Sequence, residues 1–172
     1  MKAKCLQAMA LQLCVALSFA LLIVPGYVVA PVLFAKAPSS EVAGMLAGEI
    51  FHTANMGVLF LGIAIATFWW RQQRNGRARA LKSWAVLLSL LLLVAVNVYG
   101  IAPIIAELKA QAIHGITMLS MDDPLRKEFG MWHGISALTH LIASIFATLL
   151  LVMTICGHGN CDKVVVNASK AV

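Results

Sequence analysis

Between positions 5 and 34 the chain carries no charged residue, and the runs 42–70, 83–106 and 130–157 are nearly as bare. Each is longer than the roughly 20 residues a helix needs to cross a hydrocarbon core about 30 Å thick. No water is present there to satisfy backbone N–H and C=O groups, so only helices and closed barrels can cross. Barrel strands alternate apolar and polar residues over about 10 positions, and no such alternation occurs here. The sequence therefore predicts an all-α integral membrane four-helix bundle. Helices are expected at about 5–34, 41–70, 82–108 and 124–156, forming one domain over 1–156, with 157–172 as a cytoplasmic tail. Composition agrees: 61% of residues are apolar and 12% charged, against about 25% charged in an average soluble domain. The first run is about twice the 7–15 apolar residues of a secretory leader, so it is read as the first span.

Lys and Arg set the expected orientation. Lys2 and Lys4 precede the first helix; Arg71, Arg74, Arg77, Arg79 and Lys82 crowd the connection between the second and third; Lys163 and Lys170 follow the fourth. The positive-inside rule then places both termini and the 71–82 connection in the cytoplasm of a cell bounded by this inner, or plasma, membrane. The net charge of +6 reflects this bias and is not read as nucleic-acid binding. The partner it implies is the lipid bilayer, with anionic head groups near the basic connection. Cys5, Cys14, Cys156 and Cys161 fall on the reducing side, where structural disulfides are not expected.

Two hairpins can be traced in the sequence. The first helix ends in YVVAPVLF (27–34) and the third in YGIAPII (99–105), both Tyr-x-x-Ala-Pro followed by two aliphatic residues. The helix after the first carries His52 followed 14 and 15 residues later by Ala66 and Thr67. The helix after the second carries His133 with Ala147 and Thr148 at the same offsets. This pattern suggests a tandem repeat of helical hairpins related by a pseudo-twofold along the membrane normal. Ser39 or Ser40 is available to cap the second helix. Asp123 fits the cap and Pro124 the first position of the fourth. Residues 103–120 keep a helical stripe of apolar residues, which predicts that the third helix continues outside the membrane or that an interfacial helix follows it.

Polar residues inside the spans are the candidates for function, because ionisable groups there usually face the bundle interior. Counting about 1.5 Å per residue from Trp69, Asn55 lies about 21 Å, His52 about 25 Å and Glu49 about 30 Å above the inner interface. The same count places Asn97 and Tyr99 about 20 Å up the third helix, His140 about 24 Å and Ser136 about 30 Å up the fourth, with His133 beyond. The expectation is an outer-facing polar pocket between the second, third and fourth helices, lined by Asn55, Asn97, Tyr99 and Ser136. Gly44 and Gly48, a GxxxG pair, would allow close helix approach beside it. A second cluster, Cys156, His158 and Cys161, has donors suited to a soft metal.

YVVAPVLF, AGMLAGEIF and LRKEFGMWHGIS together resemble the transmembrane protein 205-like family, known in bacteria mainly as a domain of unknown function. The residues that carry the likeness are Ala30, Pro31 and Phe34; Ala43, Gly44 and Gly48; and Arg126, Phe129, His133, Gly134 and Ser136. It spans roughly residues 20–150 and implies four helices in a membrane. A eukaryotic member's link to platinum-drug resistance implies soft-metal handling. This chain departs from the family pattern at His140, where asparagine is expected.

Three functional readings follow. The first is a non-enzymatic membrane protein binding a transition metal ion or small cation through Glu49, His52, His133 and His140, since imidazole with carboxylate suits copper, zinc or iron. The second is a redox protein holding haem b between His52 and His133. The third is a structural or assembly subunit with no ligand, working as a homo-oligomer or within a larger membrane complex.

Overall fold

The structure is a computed structural model that describes residues 2–74, 80–112 and 115–156, with the side chains of 2–5 and 156 excepted. Four long helices dominate it: α1 (2–36), α2 (Ser40–Arg74), α3 (Leu81–Gln111) and α4 (Pro124–Cys156). All four are long and apolar enough to cross a membrane. The expected four-helix bundle is present, and α3 runs on past the apolar stretch to Gln111. A 3₁₀ turn, Ile116–Met118, interrupts the connection to α4.

The helix starts are built by side chains that accept otherwise unpaired N–H groups. Ser39, and not Ser40, caps α2: its Oγ accepts from Val42 N at 3.2 Å. Asp123 Oδ1 accepts from Leu125 N at 2.8 Å, and Pro124 opens α4.

Neither α1 nor α3 is α-helical throughout. Pro25–Val29 in α1 and Val96–Ile101 in α3 are π-helical. Ala30 N–H reaches back five residues to Pro25 O, and Ala102 N–H likewise to Asn97 O. Each segment ends immediately before the Ala-Pro of the repeated motif. Proline supplies no N–H and its ring crowds the preceding turn, and a widened turn is one way a helix accommodates that. The two hairpins thus share a backbone device at matching positions.

The helices pack in chain order around a square: α1 on α2, α2 on α3, α3 on α4, and α4 back on α1. Leu11, Val15 and Leu22, then Val58, Ile65 and Trp69, Leu87, Leu90 and Val94, and Ala143, Ala147 and Leu150 meet at the centre. Each helix contributes at three- and four-residue spacing, so one face of each is committed to the interior. Between helices in lipid, van der Waals fit replaces the hydrophobic drive, and small residues allow close approach. The glycines used for this are not the GxxxG pair. A Cβ on Gly48 would meet nothing within 4 Å, and on Gly44 only Lys109 Nζ. A Cβ on Gly62 would collide with Leu91 Cδ2, one on Gly26 would lie 2.6 Å from His140 Nε2, and one on Gly57 2.9 Å from Leu21 Cδ1. Those positions are where neighbouring side chains enter a helix surface.

One end of the bundle is covered by a lid formed from Ala112 and residues 115–123. Leu108, Ala112 and Ile116 are buried there against Ile104, Leu119, Leu125, Phe129 and Trp132. Gly115, at φ 89°, brings its backbone against the Glu41 carboxylate, where any Cβ would collide with it. Glu41 Oε1 also accepts from Thr117 Oγ1 at 3.0 Å, and Arg126 donates to the carbonyls of Leu119 and Thr117. The opposite, basic end carries Trp69 edge-on to Trp84 and Arg74 over the Trp70 ring.

Candidate functional site

The square arrangement changes which polar residues can meet. A pocket shared by the second, third and fourth helices requires α2 and α4 to face each other, yet they occupy diagonal corners. They meet across the interior through Phe51 and His140, whose rings are edge-on with centroids 5.0 Å apart.

His140 turns toward α1, not into a site with α2 and α3. Its Nε2 hydrogen-bonds Leu22 O at 3.0 Å, donating in the tautomer that carries the proton there. The ring fills the space left by Gly26, with Tyr27 on its far side at 6.4 Å between centroids. A helix disturbed by Pro25 has a rearranged pattern of backbone donors, and this imidazole takes one of the nearby carbonyls. His140 therefore pins the π segment of α1 to α4.

The corresponding π segment of α3 is also pinned to α4, by a reciprocal pair. Asn97 Nδ2 donates to Ser136 O at 3.3 Å, and Ser136 Oγ donates to Asn97 Oδ1 at 3.0 Å. These two expected pocket residues do come together, but they satisfy one another. Asn55 is buried in α2. Three buried hydroxyls bond to the carbonyl one turn back, Ser18 to Cys14 O, Ser144 to His140 O and Thr154 to Leu150 O, and the exposed Thr148 does the same to Ser144 O. This is the inexpensive way to keep a hydroxyl inside a bilayer.

The three ionisable groups left over point outward. Glu49 and His52 are exposed on α2, and neither makes a hydrogen bond, ion pair or ring contact with any described residue. His133 is exposed on α4, stacked on Phe129 at 5.7 Å, with Lys109 Nζ 6.0 Å from that ring and hydrogen-bonded to Gly44 O. The expected metal set of Glu49, His52, His133 and His140 is thus not gathered, and no group of three or more His, Cys, Asp or Glu suited to a metal occurs among the described residues. The expected haem pair, His52 and His133, lies on the outer faces of diagonally placed helices. Cys156, His158 and Cys161 fall outside the residues whose side chains are described.

One feature near the exposed pair went unnoticed in the sequence. Met56, Leu59, Phe60 and Ile63 of α2 and Leu91, Ala95 and Tyr99 of α3 line an open groove of about 350 Å³. Tyr99 is exposed, and its hydroxyl lies 3.7 Å from Met56 Sδ. Met56 stands four residues from His52 and seven from Glu49, so the groove continues the face that carries them. The three- and four-residue spacing of 49, 52, 56, 59 and 63 was the signal available.

Fold and site together define a multi-pass membrane protein: four apolar helices, interior polar groups such as Ser18, Asn97 and His140 bonded to backbone carbonyls or to Ser136, and Glu49, His52 and His133 exposed on the outside. The chain belongs to the family of the domain of unknown function DUF4149, which matches residues 13–114. That segment covers α1 from residue 13, α2 and α3, including both Ala-Pro motifs and the Glu49–His52 stretch, and stops before α4. The transmembrane protein 205 side of the resemblance drawn above rests on sequence motifs alone. No curated protein and no solved structure matches the chain.

Proposed function

We propose that this chain is a non-catalytic membrane protein that works by lateral recognition, through the face of α2 that carries Glu49 and His52. One observation supports the reading: interior polar groups such as His140, Asn97 and Ser136 are engaged in packing, whereas Glu49 and His52 stand exposed without a partner. An ionisable residue within a span is a functional-site hypothesis by default. By the positive-inside rule the basic end lies in the cytoplasm and the lid end outside. The recognition face then belongs to the outer leaflet of the plasma membrane. This is the assembly-type reading of the sequence, with the contact moved from the bundle interior to its surface.

A photoreactive amino acid replacing His52 tests it. Crosslinking in intact membranes is expected to give a discrete, saturable adduct, whereas the same probe at Leu13 or Val152, exposed on α1 and α4, gives diffuse lipid labelling. Identical diffuse labelling at all three positions removes the basis for the reading. Metal analysis separates it from the ion-binding reading: a stoichiometric transition metal lost on His52→Ala would favour a metal site.

A further inference from the structure

We propose that the exposed face of α2 pairs with the same face of a second copy of this chain, Glu49 of each copy meeting His52 of the other. The proposal rests on the lateral-recognition reading and names the partner. Along this face the residues follow in alternating steps of four and three. Met45, Glu49, His52, Met56, Ile63 and Trp70 are exposed, and the half-buried positions 59 and 66 complete the series. It repeats every seven residues, the period at which one helix meets another along a shallow left-handed seam. At about 1.5 Å per residue the series extends about 38 Å, which exceeds the hydrocarbon core of about 30 Å. A lipid reaches across one leaflet, so the occupant that matches this extent is another helix.

Charge makes that helix a copy of α2. Glu49 and His52 are the only ionisable residues between positions 42 and 70, both belong to the series, and neither has a partner among the described residues. A matching helix must therefore offer a donor for the carboxylate and an acceptor for the imidazole at the same depth. The stripe itself offers both. Copies inserted in one orientation are related by a twofold along the membrane normal, which sets their α2 helices parallel. Residue 49 of one copy then lies beside residues 49 and 52 of the other, one layer or about 4.5 Å apart along the axis. His52 of each copy donates an imidazole N–H to the carboxylate of the other. Self-complementary contacts of this kind close the commonest homo-oligomers, and a polar layer within an apolar seam fixes its register. Room for the approach is present: Gly48 flanks the seam, and a Cβ there would meet nothing within 4 Å, so a second backbone can come close.

Complementation between two variants tests the assignment. Full-length chains carrying donor or acceptor fluorophores are reconstituted in phosphatidylcholine vesicles at high lipid dilution, and energy transfer reads pairing. The native chain is expected to pair. The His52→Glu chain brings four carboxylates into the layer, and the Glu49→His chain four imidazoles. Each alone is expected to pair roughly three- to tenfold more weakly, and the two mixed together to recover the native level. Gly48→Leu, whose Cβ has no atom of its own chain within 4 Å, should lower pairing while leaving helix content and melting unchanged. Absence of transfer by the native chain overturns the proposal, as does pairing that neither charge variant weakens, or a mixture that pairs no better than either variant alone. The photoreactive probe at position 52 separates this failure from failure of the reading beneath it. An adduct with the mass of two copies is expected. A saturable adduct with a different protein overturns self-pairing and leaves lateral recognition standing, and diffuse labelling removes both.

Discussion

At the residue scale, histidines of one chain take opposite roles, and the roles follow from what lies opposite each side chain. His140 faces the backbone of α1, so its loss leaves both a cavity and a carbonyl without its partner. His140→Ala is expected to destabilise the protein by about 1–3 kcal/mol, read as a fall in melting temperature in detergent, and His140→Asn to recover part of the loss. Gly26→Ala should destabilise by a similar amount, because the new methyl would sit 2.6 Å from Nε2. The two changes combined should cost less than their sum, since one relieves the clash made by the other. His52→Ala, on an exposed face, should leave melting unchanged. For Asn97 and Ser136, a double-mutant cycle to alanine is expected to give a coupling of about 0.5–1.5 kcal/mol, the range of interhelical hydrogen bonds in membranes. No coupling would mean that the pair is incidental. The sequence identified Asn97, Ser136 and His140 as consequential because they are polar at depth. It could not assign the partner of His140, since the carbonyl of Leu22 is a backbone group that every residue possesses.

At the element scale, the four apolar helices and two of their caps were readable, because runs without charge, Asp-Pro and Ser before a helix act through local chemistry. The π segments were not predicted, although Tyr-x-x-Ala-Pro was noticed twice. A widened turn depends on how a helix accommodates proline against its neighbours, which no local pattern encodes. The lid shows the same limit. Its apolar stripe was visible, but the seat of Gly115 on Glu41 joins positions 74 residues apart. Gly115→Ala adds a Cβ where the Glu41 carboxylate already lies, at a positive φ that side-chain-bearing residues avoid. It is expected to loosen the lid, and limited proteolysis between 112 and 123 should accelerate several-fold, with helix content unchanged. Unaltered cleavage would show that the Glu41 contact does not hold the lid.

At the scale of the whole molecule, the four-helix count followed from length and charge, whereas the order around the square did not. Apolar faces specify that helices pack, not which neighbour each one takes, and that single ambiguity relocated the candidate site from the interior to the surface. Orientation can be examined directly. In a chain whose native cysteines are replaced, Ser120→Cys should react with a membrane-impermeant maleimide in intact cells, and Gln73→Cys only after permeabilisation. The reverse pattern would place Glu49 and His52 in the cytoplasmic leaflet and assign the recognition face to that side.

The paired π segments also bear on how this chain can change in length. A π turn is equivalent to a helix with one residue inserted, and each residue of an α-helix accounts for about 100° of rotation. A residue deleted elsewhere in α1 or α3 turns everything beyond it by that angle, whereas one deleted within a π segment takes out the widened turn and keeps the α-helical faces on either side in register. Single-residue deletions in these two helices are therefore tolerated best inside the π segments.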